Sequence, residues 1–208
     1  CAGDIFDRWN ASPELINFAL EHIPDRLICV PGNHDLPYHR IDLMYRSGYG
    51  VLVRTGKIID LSDEENQGIT LGNDWVVYGC GWEKEIRAPI KTPALAVIHR
   101  YVWTEDKKYP NAPASSNVSS LKKELKNYTA ALTGDNHQGF LAMAGNCIVL
   151  NCGGFIRRKS DEISYQPGIG VLCEDGTVKR KKLDVSLDRF HETVTARPEM
   201  PFNMKDFI

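Results

Sequence analysis

A chain of 208 residues with 42% apolar and 25% charged residues has the size and composition of one globular domain that buries a core. Lys and Arg number 25 against 27 Asp and Glu, so the formal charge of -2 gives no global electrostatic reason to expect a polyanionic partner. No run of about 20 apolar residues occurs in it, and no basic segment followed by an apolar run opens it as a signal peptide would, which predicts a cytoplasmic protein without a membrane partner.

The first half of the chain begins with a helix and then becomes rich in strands. Ser12 and Pro13 precede spaced apolar residues, which predicts a helix that begins at Pro13 and ends before Pro24. The apolar run 27–30 predicts a buried strand, and a weaker helical pattern covers 41–45. Further strands are predicted at 51–53, 57–59, 75–78 and 95–98.

The second half continues the theme of short strands. A polar loop at 104–120 precedes a predicted amphipathic helix at 121–128, and strands are predicted at 130–132 and 147–150. Asp175 and Gly176 separate two apolar or basic runs and predict a hairpin. Strands that alternate with helices early and form hairpins late favour an α/β fold with a mixed sheet, or a pair of sheets, covered by helices.

The six cysteines lie mostly in apolar runs such as 27–30 and 147–150. We predict buried free thiols rather than disulfides, because a chain of this length does not need cross-links to be stable. No Cys-x-x-Cys pair occurs, so a structural zinc site has little support.

Four strand-like runs end in short loops that carry oxygen or imidazole groups. These loops are Gly-Asp-Ile-Phe-Asp at 3–7, Gly-Asn-His-Asp at 32–35, the single His99, and Gly-Asp-Asn-His at 134–137. Such groups are ligands for divalent metals, and each glycine lets the backbone turn beside the ligand. A lone Gly-Asp is usually a turn and a lone histidine is usually structural, but four such loops in this order favour a shared metal site.

In this order of motifs the chain resembles the calcineurin-like metallophosphoesterases. Gly-Asp-x-x-Asp and Gly-Asn-His-Asp are the most specific parts, and the resemblance spans residues 3 to about 154. It implies an α/β fold of four layers, an α-β-β-α sandwich with two central mixed sheets flanked by helices. It also implies a phosphoric ester hydrolase with two divalent metal ions. Manganese is the preferred metal, and magnesium, iron and zinc are the alternatives.

The resemblance assigns a role to each matching position. Asp4 would bridge both metals, Asn33, His99 and Asp135 would complete the second metal, and His137 would join the first. Two such cations stabilise charge on the phosphate and acidify a shared water, so that no nucleophilic side chain is required.

Three more residues of these loops have implied roles outside the metal shell. His34 would act beside the metals as a phosphate clamp or acid, and Asp35 would hold its orientation. Asp7 would brace its loop.

Two departures from the family pattern bear on the site. The opening Asp-x-His of the family is absent, so we expect residues 1–208 to be a catalytic domain without its first strand and helix. Asp135 stands where the family usually has a histidine, and a carboxylate there shifts metal preference toward manganese or magnesium and away from zinc.

The substrate is predicted less specifically than the chemistry. The motifs look most like the exonuclease branch that processes DNA ends in double-strand-break repair, which implies DNA as substrate and a repair-complex subunit or a second copy as partner. Basic runs at 157–159 and 179–182 could contact phosphates, and the aromatic run 101–103 could stack on a base. The alternatives are a phosphatase or phosphodiesterase for a small nucleotide or phosphoprotein, and a non-catalytic module with a degenerate metal site.

Overall fold

The computed structural model describes residues 1–62, 68–72, 74–157 and 162–189, which form the predicted α/β fold. Its α-helices are α1 (Pro13–His22) and α2 (Gly48–Arg54), and the described 3-10 helices are Pro37–His39, Ile41–Arg46, Ala114–Ser116 and Val118–Lys122. Its strands are β1 (Leu27–Cys29), β2 (Ile58–Asp60), β3 (Ile69–Leu71), β4 (Trp75–Cys80), β5 (Ala94–Ile98), β6 (Ala130–Thr133), β7 (Phe140–Ala144), β8 (Cys147–Asn151), β9 (Gly168–Leu172) and β10 (Val178–Lys182). The helical pattern at 41–45 thus forms a 3-10 helix.

A six-stranded mixed sheet with the order β3-β4-β5-β6-β8-β7 is the centre of the fold. The four inner strands are parallel, and β3 and β7 join as antiparallel edge strands. The carboxyl ends of β4, β5, β6 and β8 therefore meet at one edge of the sheet, where loops collect in folds of this type. The strands β1 and β2 form a separate parallel pair, and β9 and β10 form an antiparallel hairpin.

Three apolar clusters stack these elements into layers. One cluster joins α1 and α2 to the β1–β2 pair through residues such as Ala19, Leu52 and Ile58. A second lies between that pair and the six-stranded sheet and contains Val30 and Val97. The third covers the opposite face of the sheet with side chains from residues 118–128. The layers follow in the order helices, β1–β2 pair, six-stranded sheet and residues 118–128, which we call the covering segment. The β1–β2 pair is parallel, whereas two mixed sheets were predicted.

Helix α1 follows its prediction, whereas residues 51–53 do not form the predicted strand. The Ser12 hydroxyl accepts a hydrogen bond from the Leu15 amide and caps α1. Residues 51–53 instead lie in α2, where the Ser47 hydroxyl caps the helix by accepting from the Gly50 amide at 3.2 Å. The β-branched side chains of Val51 and Val53 favour a strand locally, but the Ser47 cap and the burial of Leu52 stabilise a helix instead.

The covering segment also departs from the sequence pattern. Residues 121–128 form no amphipathic α-helix; a 3-10 helix at Val118–Lys122 is followed by turns. Leu121 and Leu125 are nevertheless buried, as an amphipathic helix would bury them. Strands β3 and β7 were not predicted.

The cysteines are unpaired, and the described helices are short. All six cysteines are free thiols, and Cys29, Cys80 and Cys147 are buried as predicted. Within the described segments, every helix is too short or too polar to span a bilayer.

Candidate metal centre

Four separate segments deliver polar side chains to one end of the fold. His99 follows β5, Asp135 lies two residues after β6, and Asn33 lies in the loop after β1. The amide of Val30 donates to the carbonyl of Cys1 at 3.3 Å, so the first residues run beside the end of β1 and bring Asp4 to the same place. The sequence order of these residues gives no hint of this proximity except that each follows a strand-like run.

The ligand atoms of this group lie at distances that suit one divalent cation. Asp4, His99 and Asp135 each present one such atom, and the three atoms lie within 4.8 Å of one another. The Nε2 atom of His99 is 3.0 Å from Oδ1 of Asn33 and 3.6 Å from Oδ2 of Asp4. Two ligand atoms that each lie about 2.1 Å from a cation are about 3.0–3.5 Å apart. The spacing of the side chains therefore fits shared coordination.

The hydrogen bond on the other side of the His99 ring fixes where its lone pair points. Nδ1 lies 2.6 Å from the carbonyl oxygen of Ala2, which can only accept, so Nδ1 carries the proton and Nε2 presents its lone pair. That lone pair and the oxygens of Asn33 and Asp4 face one another. A neutral imidazole whose Nδ1 is held by a carbonyl and whose Nε2 lies beside two ligand oxygens is the arrangement expected of a metal-binding histidine.

The backbone around the cluster is as tightly packed as its side chains. A Cβ added to Gly32 would lie 2.0 Å from Oδ1 of Asp4 and 2.6 Å from Cε1 of His99. Asp4 and Asp135 both have positive φ, 54° and 72°, which is uncommon for residues other than glycine and concentrates at functional sites. The loops thus hold both carboxylates in conformations that an unconstrained chain rarely adopts.

His137 lies at the rim of this cluster rather than within it. Its side chain is 51% exposed, and Nδ1 donates to the buried carboxylate of Glu162 at 3.2 Å, which leaves Nε2 with a free lone pair. Burial raises the pKa of Asp135, while the nearby imidazoles of His99 and His137 act in the opposite direction. His137 is therefore near enough to Asp135 to interact with it electrostatically.

Glu162 is the site residue that the sequence analysis missed. It is only 4% exposed, and its carboxylate orients the ring of His137. A carboxylate that holds the far nitrogen of a metal-binding histidine is a common feature of metal centres. The 25 residues that separate it from His137 carry no motif that could have identified it.

His34 stands beside the cluster, and its ring is held by a different residue from the one predicted. Its backbone amide donates to Oδ1 of Asp4 at 3.0 Å, and its Nδ1 donates to the carbonyl oxygen of Asp7 at 2.8 Å. The prediction that Asp35 orients this ring is wrong. Asp7 does brace the loop, but through its backbone carbonyl, and leaves Nε2 of His34 as the nitrogen available for chemistry.

Asp35 instead connects the loop of Asp4 to the loop of Asn33. Its carboxylate is fully buried and accepts hydrogen bonds from the amides of Gly32, Ile5 and Phe6 at 3.0, 3.3 and 3.2 Å. Burial raises the pKa of Asp35 to about 6, although the amides oppose the rise. Its position supports a structural role for Asp35 in holding Asp4 against Asn33, not contact with a substrate.

A cleft of about 390 Å³ opens from the cluster, and Asp135 and His137 form part of its wall. Tyr101 and Tyr109 line it with their ring centroids 4.5 Å apart, and the amide of Tyr109 donates to the hydroxyl of Tyr101. The other aromatic residue of the run, Trp103, is buried, and its Nε1 donates to the carbonyl of Pro113. Of residues 101–103, only Tyr101 therefore faces this cleft.

The two basic runs differ in what they could contact. Arg157 is engaged by Asp188 at 2.8 Å, and Arg158 and Lys159 lie outside the described residues. The run 179–182 lies on β10, where side chains alternate between the two faces of the strand.

Comparison with known proteins adds the family to this geometry. No curated protein matches the chain in sequence. A crystal structure of a candidate 5'-nucleotidase from Staphylococcus aureus in complex with α-ketoglutarate aligns with a TM-score of 0.46 at 13% identity; the alignment covers 88% of this chain and 42% of that one. A sequence model for calcineurin-like phosphoesterases matches residues 1–115, more than half of the 208 residues, including Asp4, Asn33 and His99. The chain therefore belongs to the calcineurin-like phosphoesterase family.

Proposed function

We propose that this protein is a metal-dependent phosphoesterase that hydrolyses phosphodiester bonds, with residues 1–208 as its catalytic domain. The observation that carries the proposal is the convergence of Asp4, His99 and Asp135 within 4.8 Å in a chain of this family. Membership of the family implies divalent metal ions, and the two carboxylates and one imidazole favour manganese or magnesium over zinc. When bound, such ions stabilise charge on the phosphate and acidify a water for attack.

Each residue around the metal cluster has a proposed role in binding the metal or the phosphate. Asp4, Asn33, His99 and Asp135 are the proposed metal ligands, and His137 extends the site at its rim. Since the Nδ1 proton of His34 is held by Asp7, the Nε2 atom of a protonated ring can donate to a phosphate oxygen or to the leaving oxygen. Asp35 acts indirectly, by holding the loops of Asp4 and Asn33 together.

The finer proposal is an exonuclease that degrades DNA ends, alone or with a partner subunit. In its support, the cleft beside Asp135 carries an aromatic pair, Tyr101 and Tyr109, together with Lys107, and with Lys108, whose amine donates to Glu105 at 2.7 Å. Aromatic faces that stack on bases and lysines that contact phosphates are the means by which proteins bind single strands. A phosphodiesterase for a small nucleotide needs the same groups and is the second candidate.

The test compares substrates on the full-length protein with added manganese. We expect turnover of bis-p-nitrophenyl phosphate, loss of nearly all of it in Asp4→Asn, and no change in Asp25→Asn, whose exposed carboxylate lies at the opposite end of β1. Release of nucleotides from DNA ends supports the exonuclease, and turnover of mononucleotides alone supports the small-molecule enzyme. Equal activity of Asp4→Asn and the unchanged protein would overturn the metal assignment, and manganese binding without turnover would favour a non-catalytic module.

A further inference from the structure

A second, basic cleft adjoins the first one. It has a volume of about 260 Å³ and is lined by three cationic residues, Lys107, Arg180 and Lys182. Lys107 and Gln138 line both clefts, so the basic cleft continues the path that begins at the metal cluster. Within the described residues, no carboxylate lines the basic cleft.

Among the described residues, the guanidinium of Arg180 is fixed without a negative partner. Its Nη2 atom donates to the carbonyl oxygens of Cys152 and Gln166 and to the hydroxyl of Tyr165 at 3.2, 2.6 and 2.9 Å, and all three acceptors are neutral. Its Nε is buried without a hydrogen-bond partner in the described part of the chain. A cation that is held in one place by neutral acceptors keeps its full charge, and this charge attracts an anion to the cleft that Arg180 lines.

The packing around Arg180 shows how firmly that position is set. A Cβ added to Gly139 would lie 2.8 Å from its Nε, and one added to Gly168 would lie 2.9 Å from its Cζ. These two glycines therefore leave the space that the guanidinium occupies, and the three hydrogen bonds of Nη2 hold it there. Such preorganisation lowers the entropy cost of binding a ligand.

Lys182 adds a second charge on the same side. It lies two residues after Arg180 on β10, so both side chains face the same way, and among the described residues it forms no ion pair. Lys181 lies between them, faces away and does not line the cleft. Strand β10 thus presents Arg180 and Lys182 to the cleft. Lys181, on the other face of the same strand, is the matched control for Lys182.

We propose that the basic cleft is a second anion subsite, which binds a phosphate of the substrate other than the one hydrolysed at the metal cluster. This inference rests on the proposed function and deepens it: the substrate carries at least two phosphates. A nucleic-acid strand and a small polyphosphate share that chemistry.

The test compares Lys182→Met with Lys181→Met in the full-length protein. With manganese present, kcat/KM is measured for bis-p-nitrophenyl phosphate, which has one phosphate, and for a short oligothymidylate. A lysine–phosphate contact contributes a large share of affinity at low salt, so we expect Lys182→Met to lower the ratio of oligothymidylate to bis-p-nitrophenyl phosphate turnover about five- to tenfold. Lys181→Met should leave the ratio unchanged.

A binding arm separates failure of this proposal from failure of the proposed function. Labelled oligothymidylate is titrated by anisotropy without added metal, with inorganic tripolyphosphate as competitor. Weaker oligothymidylate binding in Lys182→Met but not in Lys181→Met supports the subsite even if nothing is hydrolysed. If tripolyphosphate then displaces the oligothymidylate, the subsite is assigned to small polyphosphates. If the oligothymidylate stays bound, the subsite is assigned to a nucleic-acid strand. Equal effects of the two variants, or none from either, would overturn the subsite.

Discussion

Gly32→Ala tests whether the metal centre depends on the close approach of two loops. The added Cβ would lie 2.0 Å from Oδ1 of Asp4, 2.6 Å from the Asp4 amide nitrogen and 2.6 Å from Cε1 of His99. Since the optimal separation of such atoms is about 3.5 Å, each contact falls short by about 1 Å or more. The Asp4 carboxylate can rotate away, but its backbone and the buried His99 ring cannot, so the two loops must separate.

This separation sets the magnitude of the expected effect. Functional groups must be held within about 0.5 Å of their productive positions, so a shift of about 1 Å lowers manganese affinity by about 10- to 100-fold, or about 1.4–2.7 kcal/mol. The crowding also destabilises the fold by about 1–3 kcal/mol. Both losses come from sterics alone, since Gly32 does not have a positive φ.

Calorimetric titration with manganese and thermal unfolding measure the two effects on the full-length protein. Gly81→Ala is the matched control, because Gly81 follows β4 as Gly32 follows the end of β1, and its added Cβ would lie 3.3 Å from the nearest atom, Cδ of Pro31. We expect this control to bind manganese normally. Unchanged affinity in Gly32→Ala, or an equal loss in Gly81→Ala, would refute the assignment of Asp4 and His99 as neighbouring ligands.

Three further substitutions separate the roles around the centre. His34→Ala should retain manganese in calorimetry but lower kcat for bis-p-nitrophenyl phosphate by about 100-fold or more, because it removes only the proposed acid. Glu162→Gln should weaken metal binding or activity by about 10-fold, because the His137 ring loses its negatively charged acceptor. Asp135→His should raise affinity for zinc relative to manganese in paired titrations, because it replaces a hard oxygen ligand with an imidazole.

Each of these outcomes has an alternative that contradicts its assignment. Loss of metal with unaltered turnover per bound metal would place His34 among the ligands. Glu162→Gln with ordinary affinity and activity would leave His137 outside the functional site. An unchanged ratio of zinc to manganese affinity in Asp135→His would mean that this side chain does not bind the metal.

The sequence identified the metal-site loops because their signals are local. Strand and ligand follow one another within a few residues at 27–35, 95–99 and 130–137, and a glycine precedes the ligand in the first and third of these segments. The carboxyl ends of the parallel neighbours β5 and β6 meet at one edge of the sheet, so His99 and Asp135 could be grouped from the pattern. Asp4 and Asn33 joined them through the motifs Gly-Asp-x-x-Asp and Gly-Asn-His-Asp. The role of Asp35 could not be predicted, since two of the amides that donate to its carboxylate, those of Ile5 and Phe6, lie 30 and 29 residues before it in the chain.

Other features depend on tertiary contacts that no local pattern contains. Residues 51–53 are branched and apolar like a strand, but Ser47 caps them and Leu52 packs into the core as part of α2. Trp103 resembles a surface aromatic in sequence, yet it is buried beside Pro113. Glu162 reaches its site from a segment that carries no motif, and the basic run 179–182 does not reveal which of its side chains line the cleft.

The three histidines around the centre share one arrangement that explains how the site is prepared for a cation. In His34, His99 and His137 the Nδ1 proton is donated to a protein oxygen, so each Nε2 is left for a ligand or a substrate. Binding then requires no change of tautomer or ring orientation, because folding has already fixed both. Two of these oxygens belong to the backbone and cannot be removed by substitution. Only the third, on Glu162, is a side chain, which makes His137 the one ring at this centre whose orientation a single substitution can release.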